Sequence, residues 1–185
     1  ALVPAPQSAP DDGEKRAAPE AVRVETAEQA ENLLAFWRSR EAVTVLANPQ
    51  LTALCVADET CGALLVFDRY QGDWNALLKA VFSPEIPKIS HNVKDLMRLL
   101  LEAGLPAENF VFDTALAAYL LDATAGSYNL ERLNVSYFNE ELPKASYLDE
   151  EAFSLLGDSA AAEESLLRHA AAVSALSAAL SQKLT

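Results

Sequence analysis

The chain has 185 residues, 51% of them hydrophobic, enough for one domain with a substantial core. Fourteen basic residues against 27 acidic ones give a net charge of -13, a long-range field that repels phosphate and argues against a domain that grips nucleic acid unaided. Two cysteines imply no disulfide framework; with no signal-peptide pattern and no apolar run of about eighteen residues, a cytoplasmic, non-membrane chain is expected.

Residues 1–24 carry four of the nine prolines with many alanines and mixed charge, and no apolar period runs through them. That composition reads as a flexible interdomain linker, leaving residues 25–185 as the folded domain. Thr26 and Gln29 have capping-box spacing, and Ala30, Leu33, Leu34 and Trp37 then share one helical face. Ala42 to Leu46 is a short apolar, β-branched run and predicts a strand. Leu51 to Val56 and Ala63 to Phe67 predict two more, joined as a hairpin by the turn residues between Ala57 and Gly62. Trp74 to Phe82 predicts a helix, and Pro84 and Pro87 bracket a loop before a short strand at Lys88 and Ile89.

Val93, Leu96, Met97 and Leu100 fall on one face of a helix that Gly104 and Pro106 end. Phe110 to Phe112 predicts a brief strand. Asp113 or Thr114 then caps a helix with Leu116, Ala117, Leu120 and Leu121 on one face, and Asn129 to Phe138 predicts another. Asp158 caps a long last helix with Leu166, Val173, Leu180 and Leu184 in its stripe. Hairpin strands followed by strands alternating with helices give an α/β domain with a mixed central sheet flanked by helices.

The stretch Lys88-Ile-Ser-His-Asn-Val-Lys94, then Phe112-Asp-Thr-Ala-Leu-Ala-Ala-Tyr-Leu-Leu-Asp122, then Ser127-Tyr-Asn-Leu130 follow one another with fixed spacing. In order and separation they resemble the 3'-5' exonuclease domain of bacterial family A DNA polymerases, the DNA polymerase I type, and with weaker matches the resemblance covers residues 26–185. It implies a ribonuclease H-like fold in which active members hold two divalent metal ions with four carboxylates from three motifs. One metal lowers the pKa of the attacking water, and the pair clamps the attacking and leaving oxygens. Hard divalent cations need several converging oxygen ligands for this.

This chain departs from the pattern at every expected ligand. Where the first motif should read Asp-x-Glu, Ala47-Asn48-Pro49 stands, so Ala47 and Pro49 fall at the acidic places and Asn48 could offer only a neutral amide oxygen. The second motif places Leu96 at its aspartate, with Asp95 one residue early, about 100° away round the helix and expected to point elsewhere. In the third motif His169 takes the tyrosine place and Val173 the aspartate place, and residues 165–182 contain no acid. Neutral apolar side chains in place of clustered carboxylates are what a collapsed site would carry, because metal-free carboxylates repel one another. The Mg2+ site of active members is therefore expected to be lost, with no catalytic residue and no cofactor.

Asn92, Lys94, Asp95 and His169 are candidate residual groove residues. Asp113 reads as an N-cap, His91 as a hydrogen-bonding residue at a helix start, and Trp37, Trp74, Tyr119 and Tyr128 as core or rim aromatics. Asp149, Glu150 and Glu151 read as a solvated face. The expected role is structural. The chain would be a platform inside a polymerase, partnered by the polymerase and 5'-nuclease domains of the same polypeptide, monomeric and in contact with DNA only through its parent. Two other readings stand beside it: an active exonuclease with ligands relocated to at least two of Asp95, Asp113 and Asp122, and a free-standing acidic interaction module.

Overall fold

A computed structural model describes residues 19–58, 60–154 and 157–185. Six strands form one mixed sheet in the order β1-β4-β3-β2-β5-β6. Its centre is an antiparallel meander of β2 (Val43–Ala47), β3 (Ala53–Ala57) and β4 (Cys61–Val66). Strand β5 (Lys88–Ser90) runs parallel to β2, and β6 (Phe110–Asp113) runs parallel to β5 at the far edge.

The other edge corrects the sequence reading. Glu20–Arg23 forms strand β1, parallel to β4, with Glu20 opposite Cys61 and Arg23 opposite Leu64. Val24, which follows it, is fully buried. The ordered domain thus starts before residue 25, and residues 1–18 of the expected linker lie outside the described residues. Backbone pairing to β4 supplies what composition hides, and an ion cluster anchors it. Arg23 and Arg69 both reach the buried carboxylate of Glu163 in the last helix, Arg23 at 2.6 Å.

Helices cover both faces. Helices α1 (Ala27–Ser39), α2 (Trp74–Val81) and α3 (Val93–Glu102) lie over one, packed on Val43, Val45, Leu54, Val56, Ala63 and Leu65. Helices α4 (Thr114–Leu121), α5 (Leu130–Phe138) and α6 (Ser159–Leu184) lie over the other, on Leu46, Ala53, Cys55, Ala57, Leu64 and Val66. Each central strand feeds both cores because successive side chains alternate across a sheet. Thr26 and Gln29 form the expected capping box of α1 and Asp158 caps α6 as expected, while Asn129, read as the first residue of α5, is its N-cap. Helix α6 comes very near β4. A Cβ on Gly62 would stand 2.2 Å from the Leu167 side chain, so glycine there permits the approach. Leu166, Val173 and Leu180 of the α6 stripe are fully buried, but Leu184 is exposed in the last turn.

Candidate functional site

Strand β2 ends at Ala47 beside the start of α3, and α5 and α6 close the space from the other side. The result is a groove of about 380 Å3 lined by Ala47, Pro49, Asn92, Asp95, Leu96, Glu131 and His169, among others. The first two motifs therefore do meet. Leu96 is buried and Ala47 half-buried on the same core, while Pro49 stands exposed at the rim. Asp95 does not turn fully away from Leu96: it is an exposed first-turn acid of α3 that borders this groove.

Two expected groove positions fall elsewhere. Lys94 is on the opposite flank of α3, in a separate groove with Arg98, because adjacent residues on a helix diverge by about 100°. Val173 is fully buried in the core beneath α6 and does not line the groove. The register of α6 over β2 is fixed by Ser174, whose hydroxyl donates to Thr44 Oγ1 at 2.7 Å. Three residues further along β2, at Ala47, the helix presents His169, five residues or about 7.5 Å earlier on its axis.

His169 is fully buried on α6. Its Nδ1 donates to the Ser165 carbonyl at 2.7 Å, and Nε2 lies 3.3 Å from Glu131 Oε1 on α5. With Nδ1 donating to a carbonyl, Nε2 carries a proton only in the imidazolium form, so the pairing with the carboxylate is complete only when the ring is charged. The Tyr147 ring packs edge-on against the imidazole at 5.3 Å, and burial pushes its phenol well above the usual range. Glu131 and Tyr147 escaped the sequence reading. They come from a short helix and a loop far from His169 in the chain, and their one local signal was a buried-period histidine in an otherwise apolar stripe.

The remaining polar groups are engaged in holding the backbone. Asn48 is buried, its Oδ1 accepting from the amides of Thr52 at 2.8 Å and Ala53 at 3.0 Å while Nδ2 donates to Thr52 Oγ1. Its amide oxygen faces the turn after β2 and is no ligand. Asp113 caps two helices at once. Oδ1 accepts from Asn92 N at 3.0 Å and Ala115 N at 2.9 Å, and Oδ2 accepts from Val93 N at 3.0 Å. Asn92 has left-handed backbone geometry and gives α3 no side-chain cap, so Asp113 supplies that function across the sheet. His91 Nδ1 pairs with Thr114 Oγ1 at 2.7 Å, and its ring approaches the Tyr128 backbone. Burial holds its pKa below the usual value.

Two metal ions do not fit this set. The expected ligand positions on the groove, Ala47, Pro49 and Leu96, carry side chains without lone pairs, Asn48 is committed, and Asp113 has its oxygens on amides. Asp122 follows the far end of α4, about 12 Å along the axis from the start, where Thr124 donates to it and lowers its pKa. Asp122 is thus apart from Asp113, and Asp113 and Asp95 line different grooves at the start of α3. Among the described residues, no three His, Cys, Asp or Glu side chains form a group that could hold a metal ion. Cys55 is buried, and burial raises its thiol pKa. Cys61 is half-buried at the start of β4, and both are free.

Residues 24–171 match the model of the 3'-5' exonuclease family of the DNA polymerase A class. The chain is 33% identical over 136 residues to DNA polymerase I of Mycobacterium leprae, a match covering 71% of this chain and 15% of that protein. Among solved structures, the POL domain of Pol1 from M. smegmatis, complexed with DNA primer-template and dNTP, superposes with a TM-score of 0.67 at 27% identity. That match covers 89% of this chain and 27% of the other. Escherichia coli RNase D (TM-score 0.70, 19% identity, 89% of this chain and 45% of that one) and the catalytic core of RRP6 from Trypanosoma brucei (0.69, 18%, 92% and 50%) share the fold, which is ribonuclease H-like. The chain therefore belongs to the 3'-5' exonuclease domain family of the DNA polymerase A class.

Proposed function

We propose that this chain is a catalytically silent proofreading-exonuclease-like domain of a bacterial DNA polymerase I, serving in the cytoplasm as a structural platform for the polymerase and 5'-nuclease domains of its parent in replication and repair. One observation carries the reading. Where β2, α3 and α6 converge, the side chains are Ala47, Leu96 and His169, a set that offers a hard divalent cation no carboxylate from any of the three motifs. In the groove the buried His169 imidazole faces the Glu131 carboxylate at 3.3 Å.

The net charge of -13 supports DNA contact through the parent alone, and a monomeric domain. The test is incubation of the purified chain with single-stranded DNA and Mg2+ or Mn2+. No metal-dependent degradation is expected, either in the native chain or after Ala47→Asp, because a lone carboxylate cannot hold two metals. Cleavage that is lost on replacing Asp95 or Asp113 would instead establish an active site with relocated ligands.

A further inference from the structure

A neutral imidazole has one N–H. In His169 that proton is on Nδ1, donated to the Ser165 carbonyl at 2.7 Å, which leaves Nε2 with a lone pair. Glu131 Oε1 lies 3.3 Å from Nε2, and a carboxylate oxygen can only accept. Lone pair faces lone pair until the ring takes up a second proton, and the contact then becomes a charge-assisted hydrogen bond. The two partners differ in their freedom. The His169 side chain is 1% exposed, held through Nδ1 and packed by the Tyr147 ring. The Glu131 side chain is 48% exposed and can turn to water. Glu131 also belongs to the first turn of α5. A change in this contact is passed to the start of α5 and not absorbed by the ring.

The other ionisable groups around the ring do not take over this role. Tyr147, from the turn Ser146–Leu148, is buried, and burial together with the Glu131 charge keeps its phenol protonated. His91, just after β5, lines the same groove, and burial holds its pKa below the usual histidine value. Asp95 of α3 is exposed at the rim. Arg132 of α5 is exposed in a second groove beside that helix. On α6 itself, Arg168 pairs with Glu164, and Glu163 with Arg23 and Arg69. Strand β2 brings no ionisable side chain, α4 brings only the exposed Tyr119, and the thiol of Cys55 on β3 is buried with a raised pKa. Histidine is the side chain that ordinarily changes charge between about pH 5 and 8, and the chain has two.

We propose that the His169–Glu131 contact is a proton-operated latch, which ties the first turn of α5 to α6 across the groove when the ring is charged and releases it when the ring is neutral. The charged ring carries one proton more than the neutral one. The tie is present on the acid side of the histidine range and is lost as pH rises through it. Release frees the α5 wall of the groove, to which Asn129, Leu130 and Glu131 contribute. The latch depends on this geometry alone and stands whether or not the chain is catalytically silent.

The experiment is NMR of the chain from about pH 5 to 9, following the histidine ring signals and the backbone amides together. The His169 ring and the amides of Asn129–Leu133 are expected to move along one titration curve. Amide exchange at Leu133 and Asn134, normalised for the intrinsic rate at each pH, should be about ten-fold faster or more on the alkaline side. In Glu131→Gln the side-chain NH2 can donate to the neutral ring, so the contact needs no second proton and the α5 response should vanish. In Glu131→Ala the latch is absent at every pH, and α5 should exchange at the fast rate throughout. Position 131 is half-exposed, so both variants retain the fold. His91→Gln removes the other histidine of the groove and should leave the response in place. A His169 ring that does not titrate over this range, or titrates with no change in α5, overturns the proposal. So does a response that persists in Glu131→Gln or disappears in His91→Gln.

Discussion

Replacing Asp113 by alanine separates a structural carboxylate from a catalytic one. Oδ1 and Oδ2 together accept from the amides of Asn92, Val93 and Ala115, with Leu116 N at the limit of hydrogen-bond distance, so the N-termini of α3 and α4 share this one cap. Loss of a single N-cap costs about 1–2 kcal/mol. Two helices lose theirs here, and α3 has no local substitute because Asn92 makes no side-chain cap bond. The expected cost is about 2–4 kcal/mol, or roughly 5–15 °C in Tm for a chain of this length. Asp113→Asn should recover part of it, since an amide oxygen can still accept on one side while the NH2 group faces a donor on the other. Urea denaturation gives the stability and calorimetric titration with Mn2+ gives metal binding. Stability within about 0.5 kcal/mol of the native chain, or a Mn2+ signal lost without a change in stability, would refute the capping argument.

Val173→Asp, the substitution that restores the motif aspartate by sequence, should destabilise by about 3–5 kcal/mol and create no metal site, because position 173 is fully buried in the apolar core of α6; urea denaturation reads this directly, and a stable variant that binds Mn2+ would contradict the register of α6. Glu163→Gln removes the charge that Arg23 and Arg69 share and should cost about 1–3 kcal/mol, with faster amide exchange at Glu20–Arg23; exchange in β1 unchanged from the native chain would show that backbone pairing alone holds the strand. Lys88 is fully buried, donating to the Ser83 and Ile86 carbonyls, and burial lowers its pKa to about 8. Between that value and its unfolded value of 10.5 the unfolded chain binds more protons, so this residue's contribution to stability should rise with pH across the window. The stability of the native chain relative to Lys88→Met, measured from pH 7 to 10, should therefore shift toward the native chain, and a flat difference would show that the ammonium is solvated.

Much of this protein is legible in its sequence because the signals are local. Apolar periods, the Thr26–Gln29 capping box, the hairpin turn and the Gly104 and Pro106 stop gave the element order, and the motif spacing from Lys88 to Leu130 pointed to the family. The absence of acids at Ala47, Pro49 and Leu96 needs no coordinates. The tertiary structure decided what depends on how distant elements lie over one another. Strand β1 exists because β4 offers it a pairing edge and Glu163 a counter-charge, neither of which is visible in a proline-rich opening. Lys94 and Asp95 are neighbours in sequence but line different grooves, since helical phase separates them. The place of α6 over β2 is set by side-chain contact, here Ser174 on Thr44, and an alanine-rich helix has little sequence texture to reveal it. That contact puts His169 in the groove and Val173 in the core. That Ala47, Pro49 and Leu96 carry no carboxylate is written in the sequence, whereas the places of His169 in the groove and Val173 in the core were decided by packing.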